Sequence, residues 1–302
     1  MAKRYTAKMA EIERRKKSEK GNKQFSFARD AWRRLKRNKT AIVGMVIIAI
    51  LLLLALFADL IAPYGPSEAV YADAYQTPNA KHIFGTDNMG RDLFSRCIYG
   101  SRYSLPIGIA CMILAFTVGG IIGVVSSFFG GRTDMIVMRV MDIMQAIPAT
   151  LLAITIVAVL DAGIPQLICA VTIAFIPAFS KTMRAAIFTV RNNEYIEACR
   201  SIGASNMRLM LRHMVPNAIG HVIIFAVGIV SASILSISML SYIGLGIKAP
   251  APEWGSILNS GREFIQNYPH MVLFPGLFIL FTVLAFNLLG DGLRDALDPR
   301  LK

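Results

Sequence analysis

Charged residues are scarce in this chain, where they make up only 17% of the 302 residues. Cysteine is also rare, and the four that occur (Cys97, Cys111, Cys169 and Cys199) show no spacing typical of a metal site or a disulfide framework. Apolar residues, by contrast, make up 55% of the chain. A soluble protein would not normally arrange them in uncharged blocks of about twenty residues. The composition therefore favours an integral membrane protein.

The sequence also lacks the motifs that hold phosphates or metals. It contains no Gly-x4-Gly-Lys-Ser/Thr string, whose backbone N–H groups and lysine would bind a nucleotide. The histidines are scattered, without a cysteine or acid at ligand spacing, which favours interfacial or hydrogen-bonded histidines over a metal site. They are His82, His213, His221 and His270. We therefore expect no catalytic residue, no metal and no cofactor in this chain.

Six blocks without Asp, Glu, Lys or Arg are long enough to cross a bilayer. A hydrocarbon core of about 30 Å needs about 20 helical residues. The third block, which with the first is the shortest, reaches that length if its helix begins near Asp134. The pattern predicts an all-α membrane protein with six spanning helices. The blocks are Ala41–Ala58, Tyr103–Gly131, Ile143–Leu160, Ala162–Ser180, Gly220–Ile247 and His270–Gly290.

The net charge of +13 is distributed as expected for a membrane protein rather than for a nucleic-acid-binding one. Residues 1–40 carry 15 Lys and Arg against 4 acids. With six spans and a cytoplasmic N-terminus, 6 of the 32 basic residues lie outside and 26 inside, which the positive-inside rule predicts. An odd number of spans would move the basic segment 181–212 outside. We therefore expect both termini in the cytoplasm, no nucleic acid as a partner and a first span that is retained as an anchor.

The predicted organisation follows from these spans. Residues 1–40 form a basic cytoplasmic segment, 41–62 the first span, 63–102 an extracytoplasmic loop, 103–292 a five-helix core and 293–302 a cytoplasmic tail. Within the first segment, Phe25, Ala28, Trp32 and Leu35 recur at helical spacing among arginines. Such a basic amphipathic helix favours binding to membrane lipid at the inner leaflet. The alternative is a positive cluster that only sets orientation.

Small residues, prolines and one charge inside the spans suggest packing contacts. Gly119 and Gly123 share a helical face and would allow another helix to approach closely. We expect Pro148, Pro165 and Pro177 to break or end helices. Asp142 could face a pathway or pair with Arg139, and we favour the pairing.

The segment between the fourth and fifth spans is long and charged. Tyr195, Cys199 and Ile202 fall on one helical face, with Glu194, Glu197 and Arg200 toward the other. Gly203 is a typical C-terminal residue for that helix, and a second basic helical piece leads to Pro216, where the fifth span begins. We predict a short helix parallel to the membrane that inserts into a soluble partner. The alternative is a helical connection without a partner.

This segment resembles a motif of a known family. Glu197-Ala198-Cys199, followed by Gly203 and by Pro216 thirteen residues later, resembles the "EAA" loop of ATP-binding-cassette importer permeases, with Cys199 in place of a second alanine. In that family the loop, here residues 191–216, is the coupling helix that docks in a groove of the ATPase subunit. The resemblance implies coupling and docking roles for Glu194, Tyr195, Glu197, Ala198, Cys199, Arg200, Gly203 and Pro216.

Further stretches resemble one subfamily, the second ("C") paralogue of the peptide/nickel permeases. The resemblance runs from about residue 25 to the end. It is carried by an outer-loop signature, by a segment of the third span, by a Pro-Glu-Trp-Gly string and by the C-terminus. These stretches are residues 84–96 (FGTDNMGRDLFSR), 138–144 (MRVMDIM), 252–255 (PEWG) and 286–299 (FNLLGDGLRDALDP).

The resemblance implies the six-helix, MetI-like fold of a type I importer permease in a bacterial cytoplasmic membrane. It also implies a homologous permease as heterodimer partner, two ATPase subunits that bind ATP and magnesium, and an extracytoplasmic binding protein. Substrate would pass between the two permeases. The chain would serve di- or oligopeptide import, or import of nickel, glutathione or another small solute. Two alternatives belong to other functional classes. One is a self-sufficient channel or ion-coupled carrier, and the other is a membrane scaffold.

Overall fold

The structure is a computed structural model that describes residues 32–161, 163–248 and 250–297. Within these ranges the chain is helical and contains no strand, and Thr86 and Asp92 form one isolated bridge. The prediction of an all-α membrane protein is confirmed. Most of the predicted N-terminal surface helix lies outside the described residues, as do residues 298–302 of the predicted tail.

From residue 39 onward, the described chain contains eleven α-helices and three further helical turns, and residues 32–35 are also helical. The turns are the 3-10 turns Tyr71–Asp73 and Arg262–Phe264 and the π-helical turn Leu209–Met214. The helices, in chain order, are α1 Lys39–Leu56, α2 Ala58–Ile61, α3 Leu93–Phe129, α4 Gly131–Ala146, α5 Ala149–Leu160, α6 Ile164–Arg191, α7 Glu194–Ser201, α8 Asn206–Arg208, α9 Val215–Tyr242, α10 Trp254–Gly261 and α11 His270–Leu297.

Five helices in the described part of the chain are long and apolar enough to cross a membrane. They are α1, α3, α6, α11 and the continuous helical run Asn206–Tyr242 that contains α9. The remaining predicted span, the third, is present as the pair α4 and α5, which are bent by 85° relative to each other. The count of six therefore holds only if this bent pair is one span. Its bend follows Ala146, because Pro148 cannot continue the helix.

The structure corrects the prediction for one of the three prolines. Pro148 separates α4 from α5, and Pro165 lies in the first turn of α6, as expected. Pro177, however, lies inside α6, which continues to Arg191. A proline inside a spanning helix is tolerated where neighbouring helices pack around the freed carbonyl. Here Pro177 is itself buried against the rest of the bundle.

Helices α3 and α6 form the most extensive helix pair of the bundle. Gly119 and Gly123 of α3 lie against α6, as the sequence predicted: a Cβ on Gly119 would meet the Ile176 carbonyl oxygen at 2.7 Å, and one on Gly123 would meet the Ser180 carbonyl oxygen at 2.5 Å. The two backbones are therefore in direct contact, which allows dispersion contacts along both helices.

Helix α1 packs by one narrow stripe and leaves the rest of its surface exposed. A Cβ on Gly44 would meet the Ala285 carbonyl oxygen of α11 at 2.6 Å. Val43, Val46 and Leu53 on its other faces are about half exposed. Large apolar side chains exposed along a whole spanning helix fit a surface that contacts lipid.

The two ends of the helical bundle carry different loops and short helices. At one end, Asn38, just before α1, donates to Asp295 near the end of α11 at 3.0 Å. Helix α7 lies at this end of the bundle, which we name the α7 end. At the opposite end, Arg102 of α3 pairs with Asp59 of α2 at 2.8 Å. That end also carries residues 62–92 and α10, and α3 begins there ten residues before the predicted start at Tyr103.

Candidate functional site

The α7 helix begins at Asn193, whose backbone is extended and whose carbonyl accepts from the Ile196 N–H at 2.9 Å. Glu194 and Glu197 lie in its first turn and Arg200 in its last. Acidic residues at the N-terminus and a basic residue at the C-terminus both complement the helix dipole, each by about 0.3–1 kcal/mol. An eight-residue helix is marginal by itself, so these charges help to define where it begins and ends.

The side of α7 that packs against the core is the one that carries Ile196. Ile196 is fully buried, and Cys199 and Ala204 pack against the same hydrophobic cluster, which contains Leu209 and Met214 of the next helical turns. Tyr195 and Ile202, predicted to share the face of Cys199, are instead exposed. Helical periodicity does not decide which side of α7 is covered; Ile196 is covered because it is part of this cluster.

The C-terminus of α7 is a complete Schellman motif. Gly203 has φ +82°, and its N–H donates to the Arg200 carbonyl at 3.0 Å. The Ala204 N–H donates to the Cys199 carbonyl at 3.1 Å. These two bonds satisfy carbonyls that otherwise have no partner at a helix end, and glycine adopts the left-handed conformation without strain. The prediction that Gly203 ends the helix is confirmed.

The connection from α7 to the next span contains a local widening of the helix. Ser205 caps α8 by accepting from the Arg208 N–H at 3.4 Å, and the π-helical turn Leu209–Met214 follows. Pro216 lies in the first turn of α9. Its ring would collide with a carbonyl one α-helical turn earlier, and a wider turn relieves that collision. The helical run that contains the fifth span therefore begins earlier than the predicted Gly220.

The outward surface of α7 and α8 combines apolar and charged side chains. Ile202 is 84% exposed, Tyr195 40% and Met207 63%. Of the predicted site residues, Cys199 is half-buried, and the exposed ones are Glu194, Tyr195, Glu197, Ala198, Arg200, Gly203 and Pro216. We name Tyr195, Ala198 and Ile202, which follow one helical face, the α7 face. Exposed apolar residues ringed by charges are typical of a protein-interaction surface.

The α7 end is also tied to the core. Arg191, the last residue of α6, donates from Nη1 to the Ser127 carbonyl of α3 at 2.7 Å. Arg184, two turns earlier, forms an ion pair with Asp134 of α4 at 2.5 Å. These contacts join the segment that leads into α7 to α3 and α4.

At the opposite end, the segment 84–96 forms a buried cluster of charged side chains. Asp87 is fully buried, and its carboxylate accepts from Arg91 Nε at 2.6 Å and lies 3.7 Å from Arg96 Nε. Asp92 caps α3 by accepting from the Ser95 N–H at 2.8 Å. These pairings shape the loop and the start of α3, since breaking one partner would leave a buried charge without compensation.

His82 belongs to this buried cluster of charged side chains. Its Nδ1 lies 2.9 Å from Asp92 Oδ1, and its Nε2 lies 3.8 Å from Asp73 Oδ2. The expectation of a hydrogen-bonded histidine is met at this position. Nearby, a hydrogen bond from Lys81 holds the pKa of Asp73 below its ordinary value. Among the residues that the structure describes, no group of three or more His, Cys, Asp or Glu could hold a metal ion.

The Pro-Glu-Trp-Gly string forms a second buried structure at this end. Glu253 caps α10 by accepting from the Gly255 and Ser256 N–H groups at 2.9 Å, and burial raises the pKa of its carboxyl. Trp254 is fully buried and donates from Nε1 to the Cys97 carbonyl at 2.9 Å. The string therefore holds α10 against α3. Nothing in the sequence alone places Trp254 against Cys97.

The architecture is that of an all-helical, multi-pass integral membrane protein. Residues 115–302, more than half of the chain, match the family described as binding-protein-dependent transport system inner membrane component. Residues 26–78 match the N-terminal TM domain of oligopeptide transport permease C. The chain belongs to this family of inner-membrane permeases of ATP-binding-cassette importers, and the resemblance seen in the sequence is confirmed.

Individual relatives agree with the family assignment. The dipeptide transport system permease protein of Alkalihalophilus pseudofirmus is 41% identical over 274 residues, which cover 91% of this chain and 90% of that protein. The glutathione transport system permease protein of Escherichia coli O6:K15:H31 is also 41% identical, over 272 residues and 90% of each chain. These relatives are transport permease subunits, and their names cover two solutes at the same identity.

Proposed function

We propose that this chain is the permease subunit that forms half of the translocation pore of an ATP-driven importer for di- or oligopeptides. The observation that carries the proposal is the exposed α7 face, held by a complete Schellman motif and tied to the core through Arg191. A partner that grips this face can move the spanning helices, because α7 is too short and too well capped to bend independently.

The proposed assembly contains a homologous permease as heterodimer partner, two ATPase subunits and an extracytoplasmic binding protein. ATP and magnesium bind to the ATPase subunits, and none of the chemistry is assigned to this chain. Closure of the ATPases displaces α7 and switches the pore between inward-facing and outward-facing states, as a rigid-body transition between two arrangements. Glu194, Glu197 and Arg200 supply charges around the α7 face for the docking contact.

The substrate is proposed as a peptide, with glutathione as the second candidate. The equal identity to a dipeptide permease and to a glutathione permease supports both. Both solutes carry a free ammonium and free carboxylates. Nickel remains a further alternative from the sequence resemblance.

The test is co-purification followed by reconstitution with the ATPases, second permease and binding protein encoded beside this chain. We expect the chain to co-purify with both ATPases, and the complex in proteoliposomes to accumulate Ala-Ala or glutathione only with ATP. Uptake by the purified chain alone, without ATPase, would instead support a self-sufficient channel or carrier and contradict the proposal.

We also propose that the α7 end lies in the cytoplasm with both termini. The six Lys and Arg expected outside all lie at or near the opposite end; they are Lys81, Arg91, Arg96, Arg102, Lys248 and Arg262. This asymmetry supports the orientation through the positive-inside rule.

A cysteine-labelling experiment tests this orientation. Native Cys97 is unsuitable as the outer reporter, because it is fully buried. We expect Lys81→Cys to react with a membrane-impermeant maleimide in intact spheroplasts and Met207→Cys to react only after lysis, in a background with Cys169 and Cys199 replaced by alanine. Both introduced positions are exposed, so the difference reports sidedness. The reverse pattern would refute the proposed orientation.

A further inference from the structure

A group of polar side chains lies beside the bend between α4 and α5. Lys181 of α6 pairs with Asp142 of α4 at 2.6 Å and donates to the Gln145 side chain, one turn further along α4, at 2.5 Å. We name Asp142, Gln145 and Lys181 the elbow cluster. The partner of Asp142 is thus Lys181, and the predicted ion pair with Arg139 is wrong, because the neighbouring helix brings a lysine amine closer.

The elbow cluster lies well within the length of a spanning helix. The 28 residues of α6 extend over about 42 Å, which equals the full thickness of a bilayer with its headgroups. Lys181 follows Ile164 by 17 residues, or about 25 Å, and precedes Arg191 by about 15 Å. Its Cα therefore lies about 15 Å before the end of α6 that leads into α7, directly after the predicted span 162–180.

The cluster is nonetheless open on the surface of this chain. The side chain of Lys181 is 37% exposed and that of Asp142 is 51% exposed. Charged side chains at such a depth face the interior of a bundle or a water-filled cavity, since contact with hydrocarbon costs several kcal/mol. The exposed side of the elbow cluster therefore does not face lipid.

The backbone at the bend leads to the same conclusion. Ile147 and Pro148 interrupt the helix, and both are exposed. Non-helical backbone at membrane depth is tolerated only where it is buried in protein or lines a water-filled cavity, because its carbonyls need hydrogen-bond partners. Two independent features, the charges and the broken helix, thus mark one surface as the side of a polar cavity.

A second ion pair between the same helices provides the contrast. Asp134 and Arg184 also join α4 to α6, but the Asp134 side chain is only 13% exposed. Arg184 is further covered by the ring of Phe188, 4.6 Å from its guanidinium carbon. The Arg184 side chain is itself 35% exposed, so the pair differs from the elbow cluster in its carboxylate, which is covered and accepts from Arg184 with both oxygens. That pair serves to hold the helices together. The elbow cluster retains donors and acceptors on its open side.

We propose that the elbow cluster is a subsite of the translocation pathway that binds the charged ends of a zwitterionic solute. Lys181, with two of its three N–H groups directed at Asp142 and Gln145, donates the third to the solute carboxylate. Asp142 accepts from the solute ammonium through its exposed oxygen. The inference rests on the proposed function, because it assumes that this chain lines the pore.

The test uses the complete reconstituted complex and a cysteine at the subsite. In the background without Cys169 and Cys199, we expect Ile147→Cys, at the exposed bend beside the elbow cluster, to react with a water-soluble methanethiosulfonate reagent while Lys181 and Asp142 stay in place. Ala-Ala or S-methylglutathione should slow this reaction about ten-fold, whereas N-acetyl-Ala-Ala-amide, which has neither charged end, should not. Absence of labelling, or equal labelling with and without solute, would overturn the proposal.

Uptake measurements separate binding from a structural role. Lys181→Gln and Asp142→Asn should each lower Ala-Ala or glutathione uptake about ten-fold, and the charge-swapped pair Asp142→Lys with Lys181→Asp should not restore it. Restoration of uptake by the charge swap would show that Asp142 and Lys181 form only a structural ion pair, and would contradict the inference. The matched control, Asp134→Lys with Arg184→Asp, should recover uptake relative to either single variant. If the unmodified complex transports neither solute, the proposed function fails and not the subsite alone.

Discussion

Replacement of Gly203 by valine is expected to separate ATP hydrolysis from uptake. Gly203 has φ +82°, a conformation that costs a non-glycine residue about 1–2 kcal/mol and a β-branched one more. The two hydrogen bonds of the Schellman motif would be lost with it, and the α7 face would no longer be held in position. We expect uptake by the reconstituted complex to fall about ten-fold or more, since 1.4 kcal/mol corresponds to a factor of ten, while ATP hydrolysis continues.

Gly244 is a matched control for this substitution. It has φ +88° and, like Gly203, no atom within 4 Å of an added Cβ, so valine meets comparable backbone strain there. It lies at the opposite end of the bundle, just after α9. We expect Gly244→Val to preserve the ratio of uptake to ATP hydrolysis. Equal losses in both variants would show that strain alone, and not the position of α7, is responsible.

Glu197→Lys tests the same surface without altering the backbone. Glu197 is exposed in the first turn of α7, so the substitution places a positive charge at the positive end of the helix dipole and reverses one charge beside the α7 face. We expect the ATPases to dissociate more readily during purification. Retention of normal coupling in both Gly203→Val and Glu197→Lys would contradict the docking role.

The second large effect is expected from Gly123→Ala in the α3–α6 interface. The added Cβ would lie 2.5 Å from the Ser180 carbonyl oxygen and 2.8 Å from Met183 Cβ, and backbone atoms cannot turn aside. Overpacking of this kind costs about 1–3 kcal/mol or more. We expect a clear fall in the thermal unfolding midpoint of the purified protein in detergent, together with a lower yield.

Gly120→Ala is the matched control, three residues earlier on the same helix. Its added Cβ would meet only Met183 Cε at 3.4 Å, the mobile end of a flexible side chain. Alanine is favoured over glycine in a helix by about 1 kcal/mol, so the midpoint should stay constant or rise. Equal destabilisation by both substitutions would contradict the proposed backbone contact.

Much of the architecture was predictable because the bilayer imposes a length. Uncharged blocks of about twenty residues locate five of the spans, and Gly119 and Gly123 correctly indicated a close helix contact. The bounds were less accurate, since the blocks were delimited by charges. Arg96 and Arg102 marked the outer loop as ending at residue 102, yet α3 begins at Leu93, because buried or paired arginines do not end a helix.

Of the candidate site, the sequence partly predicted α7 itself. Its length, its charges and its glycine C-terminus are local properties, and the structure reproduces them. Which apolar residue is covered was not predictable, because Ile196 belongs to a cluster whose members come from several helices, from Ala115 to Ile229. The docking role of this surface stays a prediction that the experiments above test.

The sequence by itself determined the membrane class, the family and the C-terminal end of α7, because hydrophobic length, motif and capping chemistry are all local. The tertiary structure alone decided three features: the 85° angle at the break that Pro148 causes in the third span, the pairing of Asp142 with Lys181 and the burial of Glu253 and Trp254. Each depends on which helix lies alongside, and the free energy of such contacts comes from residues far apart in the chain. The uncharged blocks therefore indicate how many helices cross the membrane, and only their packing shows which charges remain open to a solute.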